Sequence, residues 1–178
     1  MRKVALITDG WRRLFTYAWP AGILQRIRET GEDVNLYIFN STGNWSRDAG
    51  YNRAEYNIYN LPELSDFDGI ILELNNISSP AVLADVISNA KRSGRPVVSI
   101  ANELGDFYYV GIDNYSAMKQ VIAHLHEVHD CKKFWLLVGA QDNYESSCRL
   151  QGMLDYAKEH KIKIDKDDIW YGSFDYKS

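Results

Sequence analysis

The sequence has little cysteine and no long apolar run, and both features restrict the class of protein that it can encode. Its two cysteines among 178 residues, Cys131 and Cys148, show no C-x-x-C spacing. Neither a disulfide framework nor a thiolate zinc site is therefore predicted. No run approaches the ~20 apolar residues of a membrane span, and the apolar stretch after Met1 is too short for a secretory signal. We expect a cytoplasmic protein that makes no membrane contact.

Motifs for phosphate binding and nucleophilic catalysis are also absent. The sequence contains no G-x-G-x-x-G, no G-x-x-x-x-G-K-[ST] and no G-x-S-x-G, so dinucleotide, P-loop and hydrolase sites have no support. The net charge of -4 leaves no basic excess that would attract nucleic acid. We expect no catalytic residue and no cofactor in this segment.

Three of the four histidines lie close together in the sequence. His124 and His126 are two residues apart on a predicted helix and point to different sides. His126 and His129 could meet, but no third ligand is suitably spaced. We interpret them as a solvated helix end and predict no metal site.

What the sequence does contain is an alternation of strand-like and helix-like segments. Short apolar runs such as Val4–Thr8 and Gly69–Leu74 alternate with amphipathic stretches. Among the latter, Trp19–Thr30 has Pro20 in its predicted first turn, and a further helix begins at Ser79-Pro80. Near-continuous apolar strands separated by helices predict an α/β fold with parallel sheet covered on both faces. Ligands bind such sheets beyond the carboxyl ends of the strands.

The segment after the first strand, Asp9-Gly10-Trp11-Arg12-Arg13-Leu14-Phe15-Thr16-Tyr17, combines aromatic rings with guanidinium groups. Rings stack on sugars or heterocycles, and arginines donate to hydroxyls or anions. We predict ligand contact from this loop. The alternative is that Trp11, Phe15 and Trp19 only cap the core.

Polar residues also follow the third and fourth strands, as Asn75-Asn76 and Asn102-Glu103. They suit a polyhydroxyl ligand, although asparagine is equally common in plain turns. Arg149 falls in the first turn of a helix predicted over 146–161, where the helix dipole disfavours a cation. It either contacts a ligand or forms a structural salt bridge.

Several segments together resemble the effector-binding domains of LacI/GalR-type regulators. Asp68-Gly69-Ile70-Ile71-Leu72 is similar to their "DGIIL" strand, and Gly94-Arg95-Pro96-Val97-Val98 to "GIPVV". Val110-Gly111-Ile112-Asp113-Asn114 resembles "VGVDN", with His124-Leu125 at the expected distance. Further along, Lys132-Lys133-Phe134 through Gly139 is similar to "RRIAFIGG", Arg149-Leu150-Gln151-Gly152-Met153 to "RLxGF", and Gly172-Ser173-Phe174 to "GDF". In order and at matching spacing, they cover nearly the whole chain.

The resemblance implies a type 1 periplasmic-binding-protein-like fold: two Rossmann-like lobes, at 1–104 and 105–178, the second incomplete, closing on a sugar-like effector. By position, Arg149 matches the family's ligand-binding arginine, Phe15 and Thr16 match its first-strand contacts, and Asp113 lies just past the crossing into the second lobe. The predicted ligand-binding residues are therefore Trp11, Arg12, Phe15, Thr16, Tyr17, Asn75, Glu103, Asp113 and Arg149.

This sequence also departs from the family. The turn after "HL" is one residue longer, at His129-Asp130-Cys131, and the first loop is richer in Trp and Arg. The chain starts at the first strand, so DNA contact is expected only through a module absent here. An AraC-type or GGDEF diguanylate cyclase module is a candidate output. A homodimer is expected, with the Tyr-rich segment Tyr51–Tyr59 as one candidate surface.

Three rival functions remain open. An enzyme would need a nucleophile–base pair or phosphate loop, and neither is found. A receiver-like domain would need an acidic residue at the end of the third strand, where we place Asn75. A dimerisation scaffold that binds no ligand is the third.

Overall fold

The computed structural model describes residues 1–10, 14–42, 48–75, 77, 79–141 and 143–172, without the side chains of 14–16. The chain forms two compact units, an amino-terminal unit, Met1–Gly111, and a carboxyl-terminal unit, Ile112–Ser178. The division falls after the fifth strand, because that strand pairs with the fourth. The boundary predicted from the sequence, after residue 104, would instead assign this strand to the second lobe.

The described residues of the amino-terminal unit form five strands and three α-helices. In chain order they are β1 Arg2–Asp9, α1 Leu14–Thr30, β2 Val34–Ser41, α2 Ala49–Glu55, β3 Gly69–Glu73, α3 Pro80–Arg92, β4 Val97–Ile100 and β5 Tyr108–Val110. Two 3₁₀ turns, Tyr56–Asn60 and Leu64–Asp66, join α2 to β3.

The five strands form one parallel sheet in the order β2-β1-β3-β4-β5. Alternate residues of the central strands, among them Ala5, Ile7, Ile70 and Leu72, pack with the buried residues of α3 and of the 3₁₀ turns into one core. Strand side chains alternate between faces, so one face of the sheet carries this apolar cluster. Its burial fixes the register and hence the residues that end each strand.

The carboxyl-terminal unit contains α4 Asn114–Glu127, β6 Leu136–Val138, α5 Tyr144–Glu159 and β7 Ile169–Tyr171. The strands β6 and β7 pair in parallel. Ile122 of α4, Leu136 and Val138 of β6, and Met153 and Tyr156 of α5 form a second core. Each unit therefore has its own apolar core.

The predicted α/β class with parallel sheet is confirmed, and so is the helix start at Ser79-Pro80, where the Ser79 hydroxyl accepts from the Val82 amide. The predicted start of the first helix is wrong. The helix α1 begins at Leu14, so Pro20 lies inside it and not in its first turn. In the described part of the chain, no helix is long and apolar enough to cross a membrane.

Candidate ligand-binding site

The carboxyl ends of β1 to β4 bring polar residues to one edge of the amino-terminal sheet. Because these strands are parallel, their last residues meet at that edge. Buried polar residues in or at the ends of the strands are Thr8, Asp9, Ser41, Glu73 and Ser99. Burial of polar and charged groups is costly unless they are hydrogen-bonded. This edge therefore carries buried polar groups next to an apolar core.

Thr8 and Glu73 are paired across the strands β1 and β3. The Thr8 hydroxyl donates a 2.7 Å hydrogen bond to Glu73 Oε2 inside the protein. The residue at the end of β3 is thus Glu73, and Asn75 lies two residues beyond it, so our placement of Asn75 at the strand end was wrong. An acidic residue does stand where a receiver domain needs one. Glu73 is only 4% exposed, however, and its carboxylate already accepts a hydrogen bond.

Tyr59, in the 3₁₀ turn Tyr56–Asn60, hydrogen-bonds to β1 at this edge. Its hydroxyl donates to the Thr8 carbonyl oxygen at 2.9 Å. Burial raises the pKa of Tyr59 above its ordinary 10.0, and the neighbouring Asp9 carboxylate raises it further. The phenol is therefore held neutral beside Asp9, where it serves as a hydrogen-bond donor.

Three asparagines lie near the carboxyl ends of β2, β3 and β4, at the same edge of the parallel sheet. Asn40 is the penultimate residue of β2, while Asn75 and Asn102 follow β3 and β4. Their Oδ1 atoms are buried and accept no hydrogen bond from the described residues. An amide that projects from a strand end offers both a donor and an acceptor to a ligand.

The structure places the other predicted residues of this unit as follows. Tyr17 is 53% exposed in the first turn of α1, and Glu103 is exposed in the loop after β4. Trp11 and Arg12 lie outside the described residues, as do the side chains of Phe15 and Thr16. Ligand contact by all of these residues remains a prediction.

In the carboxyl-terminal unit, Asp113 caps the helix α4. Its side-chain oxygen accepts from the Ser116 amide at 2.9 Å. This backbone hydrogen bond, with the Ser116 hydroxyl, lowers the pKa of Asp113 below its ordinary 3.8. The carboxylate is exposed and ionised, so a ligand that contacts it must share it with the cap.

Arg149 lies in the second turn of α5, because the helix begins at Tyr144 with Asn143 as its cap. The predicted position in the first turn was wrong, and one turn further along the helix the dipole no longer disfavours a cation strongly. Arg149 Nε donates to Asn114 Oδ1 at 2.7 Å, and its Nη2 lies 3.6 Å from Glu145 Oε2. Asn114 Nδ2 reaches Glu145 Oε1 at 3.4 Å. We call Asn114, Glu145 and Arg149 the arginine triad.

Close packing of α4 against α5 positions this triad. A Cβ atom at Gly152 would overlap the Tyr115 carbonyl oxygen, so only glycine allows the two helices to approach this closely. Gly152 is three residues after Arg149, and Tyr115 directly follows Asn114. Asn114 and Glu145 were not among the ligand-binding residues predicted from the sequence. The "VGVDN" resemblance ends at Asn114 and was the available signal.

The structure pairs His129 with His124, whose Nε2 atoms lie 3.1 Å apart, whereas His126 Nδ1 contacts the Tyr156 hydroxyl at 3.1 Å. The contact between His126 and His129 that the sequence left open is therefore not the one formed. Within the described ranges, no three His, Cys, Asp or Glu side chains are grouped so that they could hold a metal ion.

No protein-family model matches this chain, and no curated protein matches it. Solved structures do match. The regulator CcpA of Lactococcus lactis superposes with a TM-score of 0.70 at 20% identity, over 99% of this chain and 60% of that one. A putative LacI regulator from Bacillus cereus subsp. cytotoxis gives 0.70 at 21% identity, over 98% and 60%.

A third match is the periplasmic binding protein/LacI transcriptional regulator from Alkaliphilus metalliredigens QYMF, solved with D-xylulofuranose. Its TM-score is 0.63 at 18% identity, over 98% of this chain and 57% of that one. The chain thus spans about 60% of the length of the structures it matches. None of the three is described as a diguanylate cyclase, so the GGDEF alternative gains no support. The resemblance predicted from the sequence is confirmed at the level of fold: the chain has the periplasmic-binding-protein-like α/β fold seen in LacI-type transcription regulators.

Proposed function

We propose that the chain is the ligand-sensing part of a LacI/GalR-like bacterial regulator. It binds a small, polar, sugar-like effector, passes the change to an output module, and carries out no chemistry of its own. The observation that best supports this proposal is the set of three asparagine amides near the carboxyl ends of β2, β3 and β4, at one edge of the parallel sheet. The buried Oδ1 atoms of Asn40, Asn75 and Asn102 accept no hydrogen bond from the described residues.

The fold supports the same proposal. Parallel α/β sheets bind ligands beyond the carboxyl ends of their strands, where these amides lie. One matched structure, the Alkaliphilus protein, is described with a bound sugar. In the carboxyl-terminal unit, Arg149 offers guanidinium donors from a partly exposed position. We propose that residues of both units contact the effector, with the first loop, Trp11 to Tyr17, adding aromatic stacking.

Signalling follows from differential affinity. An effector that binds one arrangement of the protein more tightly shifts the population toward it. We propose that a homodimer passes this shift to the output module. The Tyr-rich segment has buried as well as exposed members: Tyr56 and Tyr59 are core residues, and Tyr51 is 49% exposed. Tyr51 is therefore the better candidate of these three for a partner surface.

The test is a thermal-shift screen of neutral sugars, sugar phosphates and nucleosides. A compound that binds only the folded state raises the melting temperature, by an amount that corresponds to about 2.7 kcal/mol at a hundred times Kd. A hit should lose most of its effect in Asn75→Ala and keep it in Asn57→Ala, an exposed control outside the strand ends. A broad screen without any hit on folded protein would favour the dimerisation scaffold. A hit that Asn75→Ala leaves unchanged would contradict the placement of the site.

A further inference from the structure

The arginine triad has a charge balance that bears on the kind of effector the site accepts. Arg149 is the cation that the family resemblance places at the ligand. It already lies beside a carboxylate, since Glu145 is one helical turn earlier and 3.6 Å away. Its Nε also donates a hydrogen bond to Asn114 Oδ1, at 2.7 Å. The side-on edge of the guanidinium, which pairs best with an anion's two oxygens, is therefore occupied.

The triad remains open to a ligand. The side chains of Arg149 and Glu145 are 37% and 21% exposed, while Asn114 is only 7% exposed and holds the arginine from beneath. A ligand that reaches the triad meets Arg149 donors and Glu145 acceptors side by side. Each sugar hydroxyl both donates and accepts, so adjacent hydroxyls fit such a mixed surface. A phosphate group offers mainly acceptors and would be repelled by Glu145.

The strand ends of the amino-terminal unit carry charge of the same sign. Charged residues among the described ones at the ends of β1 to β4 are Asp9, Glu73 and Glu103. Asp9 and Glu73 are buried, at 1% and 4% exposure. A negatively charged ligand at these strand ends would be repelled by their carboxylates.

We infer that the site, if it is the effector site proposed above, selects uncharged polyhydroxyl ligands and rejects their phosphorylated counterparts. Glu145 is the specificity-determining residue: it neutralises Arg149, and its own oxygens accept ligand hydroxyls. This inference rests on the proposed function and adds the ligand class to it.

The experiment is a calorimetric comparison of matched pairs on the whole chain. The probes are D-glucose and D-glucose 6-phosphate, D-ribose and D-ribose 5-phosphate, cellobiose and its 6-phosphate, and adenosine and AMP. For any pair that binds, the neutral member should bind at least about tenfold more tightly. Glu145→Gln should reduce that ratio by about tenfold, because it releases Arg149 to the phosphate. Glu159→Gln is the matched control. Glu159 is the last residue of α5, away from the triad, and it forms a salt bridge with Lys119 of α4.

The outcomes are separable. A phosphate ester that binds the unaltered chain as tightly as its parent would overturn the inference and leave the proposed function standing. A ratio that Glu145→Gln does not change, in protein that still melts cooperatively, would equally overturn the role of Glu145. If no probe of either kind binds, the proposed function fails and this inference fails with it.

Discussion

The guanidinium of Arg149 donates a 2.7 Å hydrogen bond from its Nε to the Oδ1 of Asn114, a buried residue at the start of the preceding helix. The two residues are 35 positions apart in the sequence. This contact joins the helices α4 and α5 at the place where the arginine leaves the helix surface. It makes Asn114 a positioning residue for Arg149, with consequences for stability and for ligand binding.

Asn114→Ala should destabilise the chain by about 1–3 kcal/mol, the usual range for a hydrogen bond to a charged group that is lost at a buried position. Effector affinity should fall as well, since Arg149 is no longer held. Urea unfolding gives the first quantity, and calorimetric titration with a screening hit gives the second. Asn114→Asp keeps an acceptor for Arg149 but loses the Nδ2 donor and places a second carboxylate beside Glu145, so it should restore little of the stability. If the alanine variant were as stable as the parent chain, the contact would not contribute to folding.

Gly152→Ala should destabilise the carboxyl-terminal unit by about 1–3 kcal/mol, because the new methyl group would overlap the Tyr115 carbonyl and push α4 away from α5. Gly22→Ala is the matched control. Gly22 also lies in a helix, but nothing is within 4 Å of its added Cβ, so helix propensity should stabilise that variant by about 0.5–1 kcal/mol. Denaturant unfolding of both variants checks the opposite signs, and equal effects would refute the close-packing account.

The raised pKa of Tyr59 predicts a loss of stability in alkali. The folded pKa lies above the ordinary value of 10.0. The unfolded chain therefore releases this proton first, and the stabilising contribution, complete below pH 10, declines as the pH rises further. Tyr59→Phe cannot titrate, so its unfolding free energy should fall less steeply above pH 10. Parallel slopes for the two proteins, from urea unfolding between pH 8 and 11, would contradict a buried neutral phenol.

Thr8→Val removes the hydroxyl that donates to Glu73 Oε2 while it keeps the shape of the side chain. A buried carboxylate that loses a donor should cost about 1–3 kcal/mol. The double variant Thr8→Val with Glu73→Gln should recover part of this loss, since a neutral amide tolerates burial better. The double-mutant cycle from urea unfolding checks the coupling, and strictly additive effects would show that the two side chains do not interact.

The strands could be predicted from the sequence because each is a short apolar run. The run Gly69–Leu74 corresponds to β3, Gly69–Glu73. Helix starts were harder to predict. Asn143 was not recognised as the cap of α5, so Arg149 was assigned to the first turn and not to the second. In α1, Pro20 suggested a helix start, but the helix begins earlier, at Leu14.

The hydrogen-bond partners of the predicted site residues could not be predicted from sequence patterns. The approach of Arg149 to Asn114 depends on how tightly α4 packs against α5, which Gly152 decides. Likewise, the burial of Glu73 follows from its pairing with Thr8 on another strand. Periodicity and spacing describe one element at a time, whereas these contacts depend on the register between two elements.

The most direct test of the central claim is a calorimetric titration of the unaltered chain, Arg149→Ala and Arg28→Ala with the strongest hit of the sugar screen. Arg28 is an exposed arginine in the last turn of α1 and serves as the matched charge control. We expect the unaltered chain and Arg28→Ala to bind alike, and Arg149→Ala to bind at least about tenfold more weakly while it still unfolds cooperatively. Equal affinity of all three proteins would show that Arg149 does not contact the effector, and the account of the site would be wrong.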